Sequence, residues 1–509
     1  MRSDISIRID QDYFDVDEGT IVEATLQRDN LLDFTTKQLS YTNTISLPIT
    51  ERNAKLINYA HLDTGNNDFL KQSHEITIDV AGNNLFNRIR KPINIEGTPP
   101  RLSFRLIEEA KSFYEQLAPY KLYELVASNT AKWWRATYRL GINNEDQFNT
   151  SSLSDYLIDS PPYDELIYLP LVDLGEGTIV KPNNSRILLS DTRWMIPCFH
   201  VGNCLKTALA RIGFSFQSSV LNDPLFTHAV ITAPKLNSRG YEPKTIFGEL
   251  TVVDLLKSIE FLLGGRFQPV DRTLTLVPSS INDGTPAEDF SAYLDYTREA
   301  VVNHNFGEWG LNNLFAYASP GVANPDDSFN KQSANLNRPP QYEAFKTLFA
   351  RPYTDNRFSS STLDNIARID IINRIGTDLK IGSENDPVPT LLFLDQMNTE
   401  WQLEISSPSG DTFLRNNPSG AVVGSWNPAY NMSQVATKYN YLNDILSKHQ
   451  VTVGMRIPPH KADADTLLQK KVYLNSIDSR VNLSGYYLIT KVDAYRPGFT
   501  ANVTLQKLP

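Results

Sequence analysis

The sequence predicts a mainly β protein with short α-helices, an α+β fold made of several domains. Three observations predict it. Proline (30 residues) outnumbers glycine (25), aromatic side chains make up 10% of the 509 residues, and short apolar runs alternate with polar residues. Proline and aromatic residues favour turns and strands over long helices, and alternation at period two is typical of a half-buried strand. The length allows about three to five domains.

The first hundred residues are predicted to form strands joined by turns. A strand is expected from Tyr41 to Leu47, because apolar or aromatic residues alternate there and Pro48 follows. Thr50 is placed to cap a short helix, and Gly82-Asn83-Asn84 predicts a turn. Alternating apolar side chains predict three further strands, at Ile5, Ile7 and Ile9, at Ile76, Ile78 and Val80, and at Leu102, Phe104 and Leu106.

Two segments in the middle of the chain predict amphipathic helices that run into strands. They extend from Val201 to Gln217 and from Val252 to Gln268, with Gly213 and Gly264 where a left-handed helix-ending residue is expected. The second continues into a hairpin that turns near Asp271-Arg272. The segments align without a gap, and either convergence on one helix–glycine–strand pattern or a duplicated unit explains the shared residues. The identical pairs are Val201/Val252, Leu205/Leu256, Lys206/Lys257, Gly213/Gly264, Phe216/Phe267 and Gln217/Gln268.

The second half of the chain predicts strands, long loops and one clear helix. Residues 280–300 and 318–342 are rich in Asn, Asp, Ser and Pro and are expected to be surface loops. Val301 to Tyr317 between them predicts a strand pair interrupted by glycines. Residues 355–430 predict mostly strand and loop. The helix that follows has a predicted buried stripe at Val435, Tyr439, Leu442 and Leu446.

The C-terminus predicts a β-hairpin. Arg496-Pro497-Gly498 supplies the turn. One strand is expected to carry Tyr486, Leu488, Thr490 and Val492, and the other to return at period two with Phe499, Ala501, Val503 and Leu505.

Five consecutive domains are predicted, with Pro99-Pro100 and Pro161-Pro162 as punctuation. In chain order they are an N-terminal β domain (1–110), a β-rich domain (111–200), a helix-plus-hairpin α+β domain (201–300), a β domain with long loops (301–430), and a C-terminal helix and β-hairpin (431–509).

Composition excludes several classes of protein. The net charge of −10 argues against specific or general nucleic-acid binding, because no region concentrates enough Lys and Arg to neutralise a row of phosphates. Two cysteines cannot form a disulfide framework and fit synthesis in a reducing cytoplasm. No secretory signal and no apolar run long enough for a membrane span is visible.

Two groups of residues resemble metal sites, and neither matches the required pattern. Asp10, Asp12, Asp15, Asp17 and Glu18 do not follow the ligand order of a calcium loop, so solvated loop carboxylates are the favoured interpretation. Cys198, His200 and Cys204 could hold part of a zinc site. Structural zinc needs four ligands, however, and the chain has no second cysteine pair, so buried, inert thiols are expected.

No catalytic, cofactor-binding or metal residue is predicted. The chain lacks GxSxG, HExxH and GxxxxGK[ST] motifs, and the pair Gly264-Gly265 follows a helix where a phosphate loop would open one. Trp133 and Trp134, beside Arg135, could stack on a sugar ring, although such clusters more often form a sheet face or an interface.

Five segments carry a resemblance to a known family, and in chain order they are SYTNTISLPITERNAKLINYA, IYLPLVDLGEGTIV, MIPCFHVGNCLKTALARIGFSFQSSVLNDPLFTHAVI, TVVDLLKSIEFLLGGRFQPVDRTLTLVP and SGYYLITKVDAYRPGFTANVTLQKL. Their order resembles structural proteins of tailed-phage and prophage tails, especially those of Bacteroidetes phages. The C-terminal hairpin and the helix-plus-hairpin from Thr251 to Pro278 are similar to parts of baseplate hub proteins.

This resemblance implies a virion structural protein without enzymatic activity and without a cofactor. It implies β-sandwich or barrel-like domains and a homo-oligomeric, trimeric hub that caps or extends the tail tube and provides a conduit for DNA ejection. The implied partners are the tail tube protein, other baseplate or tail-fibre subunits, and the tape-measure protein. Such subunits fold in the host cytoplasm and leave with the virion. The net charge favours a lumen that repels DNA.

An alternative is a carbohydrate-binding or carbohydrate-degrading protein that recognises a receptor. Sugar sites use aromatic platforms beside carboxylates, and ordinary β cores use the same residues. The aromatic residues that favour this alternative are Trp133, Trp134, Trp309, Trp401 and Trp426.

Overall fold

Strands from both ends of the chain meet in one eight-stranded sheet. The computed structural model describes residues 5–18, 20–27, 40–62, 68–80, 82–107, 109–127, 167–168, 170, 172, 179–180, 186–189, 198–232, 235–236, 249–270, 272–278, 286–304, 309–318, 327–333, 338–352, 367, 371–375, 378–381, 388–396, 402–406, 412–415, 422–461, 467–468, 470–475, 481–496 and 498–508.

Helices in the described part of the chain are short. None of them is long and apolar enough to span a membrane. They are α1 (Glu51–Leu56), α2 (Asp68–Lys71), α3 (Glu109–Leu117), α4 (Leu122–Ala127), α5 (Val201–Arg211), α6 (Pro224–Thr227), α7 (Val252–Leu263), α8 (Met432–Thr437) and α9 (Tyr441–Leu446).

Strands predominate among the described residues, and the predicted mainly β, α+β fold is confirmed. The strands are β1 (Ile5–Ile9), β2 (Asp12–Phe14), β3 (Ala24–Gln27), β4 (Tyr41–Thr42), β5 (Ile45–Pro48), β6 (Ser73–Val80), β7 (Asn83–Pro92), β8 (Asn94–Glu96), β9 (Arg101–Phe104), β10 (Ile167–Tyr168), β11 (Ile179–Val180), β12 (Arg186–Leu189), β13 (Cys198–His200), β14 (Ser215–Phe216), β15 (Ala229–Thr232), β16 (Lys235–Leu236), β17 (Gly265–Val270), β18 (Thr273–Pro278), β19 (Glu288–Asp289), β20 (Val301–Asn303), β21 (Asn312–Ala316), β22 (Ser328–Gln332), β23 (Gln341–Lys346), β24 (Ile371–Ile375), β25 (Asp378–Ile381), β26 (Leu391–Gln396), β27 (Gln402–Ser406), β28 (Thr412–Arg415), β29 (Val422–Ser425), β30 (Gln450–Met455), β31 (Lys471–Leu474), β32 (Gly485–Tyr495) and β33 (Ala501–Lys507).

The eight-stranded sheet has the C-terminal hairpin at its centre. Its strand order is β19-β31-β32-β33-β30-β20, and β3 pairs with both β32 and β4. The long strand β32 is therefore flanked by β33 on one side and by β31 and β3 in succession on the other. Seven smaller sheets, of three to five strands, complete the described strand pairing.

The two larger hydrophobic cores of the described chain each gather segments that are distant in sequence. One core combines the N-terminal hundred residues with Phe290 and with residues 451–505. The other, here called the second core, combines α3, α5, α7 and the β17–β18 hairpin with β21, β23, α8 and α9. Each core thus draws on more than one of the five predicted consecutive domains, whose boundaries remain a prediction.

Both predicted helix–glycine–strand segments are confirmed, and they pack around one shared strand. Helices α5 and α7 are followed by Gly213 and Gly264, which have left-handed φ values of 75° and 70°. Strands β14 and β17 then flank β18, the first parallel to it and the second antiparallel. The rings of Phe216 and Phe267 meet edge to face, with their centroids 5.1 Å apart. Convergence and duplication both remain open as explanations.

A stack of aromatic rings joins α7 to the sheet of β21, β22 and β23. The closest centroid pairs are Phe261 with Phe345 at 4.6 Å and Phe315 with Phe329 at 4.8 Å. Tyr439 stacks on Phe261 at 5.2 Å, and its hydroxyl donates to the Phe261 carbonyl at 2.7 Å. These rings also explain why Tyr439 is fully buried, as the predicted stripe requires.

The single helix predicted around that stripe is wrong, because the chain forms two helices, α8 and α9, separated by a turn. In the turn, the Lys438 ammonium donates to the carbonyl of Leu262 at 2.6 Å, near the end of α7. A cation at a helix C-terminus is favourable because the unpaired carbonyls there carry partial negative charge. This contact and the Tyr439 hydroxyl bond hold the turn against α7.

Several strand predictions are corrected because neighbouring residues join different sheets. Residues 41–47 split into β4 and β5, which pair with β3 and β9 respectively. The two strands predicted within residues 301–317 do not pair with each other, since β20 pairs with β30 and β21 pairs with β22 and β23. The predicted loops contain structure as well: Phe290 is fully buried and residues 328–332 form β22.

The predicted C-terminal hairpin is confirmed, and its first strand, β32, departs from strict alternation. Tyr486 is exposed, and the core face of β32 carries Tyr487, Ile489, Val492 and Tyr495. The register shifts between Ile489 and Lys491, which is the signature of a β-bulge. One extra residue reverses the alternation, so residues after the bulge point to the opposite face from the one that strict period two assigns.

Replacing Tyr114 with Phe tests how much the hydrogen bonds of Glu260, which join α3, α7 and β17, contribute to stability. Its hydroxyl donates to Glu260 at 2.5 Å, and the same carboxylate oxygen accepts from the Phe267 backbone at 2.6 Å. Because Glu260 is 4% exposed, Tyr114→Phe leaves a buried acceptor with one donor fewer and should cost about 1–3 kcal/mol. Urea unfolding followed by tryptophan fluorescence measures it, with Tyr59→Phe on the surface as control. Equal unfolding midpoints for the two variants would contradict this role.

Candidate functional site

The cysteines and histidine of the suspected zinc group are all buried, and Cys204 belongs to the second core. Cys198 and Cys204 are at most 1% exposed. The His200 Nδ1 accepts from the Asn203 backbone at 3.1 Å and so caps α5, while Nε2 lies 3.1 Å from the Thr227 carbonyl. Both ring nitrogens therefore bond to the protein backbone. Among the residues that the structure describes, no three His, Cys, Asp or Glu side chains are placed to hold a metal ion.

Iodoacetamide should alkylate neither cysteine in the folded protein. Burial raises the pKa of Cys204 to about 12 and the pKa of Cys198 still further. At neutral pH almost no reactive thiolate is then present, and the side chains are also inaccessible. Intact mass measured after treatment should show no adduct in buffer and two adducts in denaturing urea. Adducts formed in buffer at the rate of a free cysteine would show that this region opens.

Three of the five carboxylates predicted between residues 10 and 18 bond to separate protein partners, while Asp12 and Glu18 are exposed. Asp10 lies 2.7 Å from the ring of His74, the Asp15 carboxylate accepts from Thr50 at 2.6 Å, and Asp17 pairs with Arg101 at 2.8 Å. These carboxylates anchor the N-terminal hairpin and α1 to neighbouring segments. They are thus more firmly bonded than the predicted solvated loop carboxylates.

Two of the tryptophans that favoured a sugar site lie among the described residues, and they are buried or half-buried. Trp309 is 3% exposed and has the Arg338 guanidinium carbon 4.6 Å from its ring centroid. The half-buried Trp426 donates to Asn431 at 2.7 Å and packs edge-on against Phe393. The Arg351 guanidinium carbon lies 5.3 Å from the Trp426 ring centroid, so each of the two rings has an arginine over one face. Trp133, Trp134 and Trp401 lie outside the described residues.

A surface site that no sequence motif indicated lies beside the C-terminal hairpin. The edge of the eight-stranded sheet is interrupted there by a turn from Asp295 to Arg298, closed by a backbone bond of 3.1 Å. Before the turn, Leu294 bridges to Met455, and after it Val301 pairs with Thr452. The turn therefore protrudes from a strand that otherwise follows β30.

The Asp295 carboxylate ties this turn to the hairpin turn. One oxygen accepts from the Thr297 backbone at 3.0 Å and hydroxyl at 2.6 Å, and the other accepts from the Thr500 hydroxyl at 2.5 Å. Hydrogen bonds from Thr297 and Thr500 favour the ionised carboxylate and lower the pKa of Asp295 to about 2. The two turns are thus held together by one charged group.

Arg298 lies flat across the sheet because the strand beneath it carries a glycine. A Cβ added at Gly454 would come within 2.8 Å of the Arg298 Cδ. The guanidinium reaches over β30 and donates to Asn502 of β33 at 2.7 Å. The position of this charge therefore depends on three different strands or turns.

These elements enclose a polar cleft of about 480 Å³, which we name the arginine cleft. Its lining carries three guanidinium groups and two carboxylates. The Arg496 guanidinium carbon lies 4.4 Å from the ring centroid of Phe499, and Asp493 pairs with Lys491 at 2.8 Å. The lining residues are Glu23, Arg298, Arg456, Asp493, Ala494, Arg496, Phe499, Thr500 and Asn502.

Large apolar side chains are exposed in the cleft lining, where Phe499 lies, and on the neighbouring turn and edge strand, where Tyr296 and Val301 lie. Tyr296 is 64% exposed, Val301 60% and Phe499 54%. Aromatic residues and arginine are enriched at protein–protein interfaces, where the ring supplies area and the guanidinium pairs with carboxylates. The arrangement is suited to binding an anionic surface.

Sequence reasoning missed this site because its arginines are far apart in the chain. Arg496 appeared only as the first residue of a predicted turn. Arg298 fell in a predicted loop, and Arg456 in no motif. Only the pairing of β20 and β33 with β30 brings the three together.

The chain has distant structural similarity to three solved tail proteins. No family model and no curated protein matches the chain. The 43 kDa tail protein of prophage MuSo2 from Shewanella oneidensis has a TM-score of 0.37 and 8% identity, over 99% of both chains. A tail protein from Neisseria meningitidis MC58 has 0.36 and 10%, over 99% of this chain and 96% of that one. Prophage tail protein gp18 from Listeria monocytogenes EGD-e has 0.28 and 10%, over 86% and 99%.

Removing the Asp295 charge should destabilise the fold in a pH-dependent way. Its pKa is lower in the folded protein than the unfolded value of about 3.9. The stabilisation is therefore present above that value and is lost as the pH falls through about 2. Asp295→Asn should lower the melting temperature at neutral pH, and the difference should shrink in acid. Calorimetry over a pH series tests this, with Asp12→Asn as control. A difference that stays constant down to pH about 2 would contradict the assignment.

Proposed function

We propose that this chain is a structural subunit of a phage tail tip. In this proposal, copies of the chain form a closed homo-oligomeric hub, a trimer, that caps or extends the tail tube and leaves a conduit for DNA. The hub holds tube and fibre subunits in place and performs no reaction. The hub assembles in the host cytoplasm and is part of the virion.

The position of the C-terminal hairpin is the observation that carries the proposal. The segment SGYYLITKVDAYRPGFTANVTLQKL resembles the end of baseplate hub proteins, and it forms the two central strands of the largest sheet. Strands from residues 24–27, 288–303, 450–455 and 471–474 assemble around it. The part of the sequence that carries the resemblance is thus also the organising element of the fold.

The uses of the chemically versatile side chains also support a structural role. His200 caps a helix, Glu260 joins a helix to a hairpin, and Trp309 packs inside the second core. These groups are engaged in holding the fold. The exposed side chains beside the C-terminal hairpin are instead those typical of a protein interface.

Light scattering on the purified chain tests the proposal. The expected result is one species of about three times the 57.4 kDa subunit mass, stable on dilution, because obligate ring interfaces are large. Glycan-array binding and release of reducing sugar should both be at background. A monomer that binds or cleaves a glycan would contradict the hub and favour the carbohydrate alternative.

A further inference from the structure

We infer that the arginine cleft, with Tyr296, Val301 and Phe499 around it, is the surface on which a second copy of this chain docks. The inference rests on the proposed homo-oligomer and names the surface that would build it. In this contact, carboxylates of the neighbouring subunit enter between the guanidinium groups of Arg298 and Arg456.

Charge complementarity points to a second copy as the occupant. The chain carries 58 acidic and 48 basic residues, so the surface that one copy offers to another is acidic on average. The cleft lining holds three guanidinium groups and two carboxylates, and the Asp295 carboxylate lies in the cleft wall. Because Asp493 is already paired with Lys491, four cationic groups face three carboxylates, an excess of one positive charge. A local basic site on an acidic chain favours attraction between copies where the remaining surface would repel.

The chemistry of the groups suits carboxylates in particular. Guanidinium groups bind carboxylates through two parallel hydrogen bonds, which fixes orientation as well as sign. Arg298 is already positioned by Gly454 below it and Asn502 at its end. The Asp295 bonds hold the two turns that form the cleft walls. A surface that is ordered before contact loses less conformational entropy on binding.

The geometry of the sheet edge explains why side chains make the contact. An unpaired strand edge can add another strand, whereas a protruding turn prevents continuous pairing. The turn at residues 295–298 interrupts the β20 edge and presents Tyr296 beside the cleft. The basic cleft of one copy binds an acidic surface elsewhere on the next copy, so the contact joins two different surfaces, head to tail. Such a contact closes into a ring when the rotation from one copy to the next is a whole fraction of a turn.

Charge reversal in the cleft tests the inference on the full chain. The variant Arg298→Glu/Arg456→Glu should weaken association about tenfold or more in sedimentation velocity, since two attractive contacts become repulsive. Wild-type association should also weaken as salt is raised, because salt screens exposed charges. The matched control is Lys206→Glu/Lys346→Glu. It makes the same change in net charge at two exposed residues on α5 and β23, elements that pack in the second core. It should associate as the wild type does.

A second variant removes the apolar part of the surface without changing charge. Tyr296→Ala/Phe499→Ala replaces two exposed rings, so the fold should be preserved, as circular dichroism would verify, and association should again weaken. Variants that associate like the wild type would overturn the inference and leave the proposed hub intact. A wild-type chain that stays monomeric at every concentration would contradict the hub itself.

Discussion

The pairing of β3 with the second half of β32 is the contact on which the remaining architecture depends. It places Ala24 opposite Tyr495 and Leu26 opposite Val492, and all four side chains are fully buried. A two-stranded hairpin has only marginal stability by itself and needs further strands to cover a face. β3 supplies one of these strands, together with β31 and β30, and it also brings the first hundred residues into the same core. The entropy cost of joining such distant segments grows only slowly with their separation, so apolar burial can exceed it.

The same constraint explains where the sheet becomes irregular. Strand β32 must meet β31 along its first half and β3 along its second, and its register to β33 shifts between Ile489 and Lys491. The shift allows Tyr487 and Ile489 before it and Val492 after it to share one buried face. A second register shift, against β3 between Ala24 and Leu26, returns Tyr495 to the same face. Leu488 is then left to pack on the opposite face with Ile445 and Leu508. Both faces of the central strand are therefore covered.

The arginine cleft is a consequence of this architecture rather than a separate motif. Its walls are the turn of the C-terminal hairpin, the interrupted edge strand and the end of β30, all of which belong to the eight-stranded sheet. A site made from the central hairpin is held by the most buried part of the fold. For a subunit whose proposed role is to bear contacts between copies, this is a favourable position, because the docking groups are anchored to the core.

The sequence by itself determined the local elements whose signals are complete within a few residues. Helix α7 begins after Thr251 and is followed by left-handed Gly264 because the cap and the glycine act over one turn. The mainly β class follows likewise from composition and alternation. Only the tertiary structure decided the partners of each strand, the bulge in β32, the break at Lys438 and the meeting of Arg298, Arg456 and Arg496. Most of these features depend on hydrogen bonds and apolar contacts between segments far apart in the sequence, and local alternation contains no information about which distant strand will provide them.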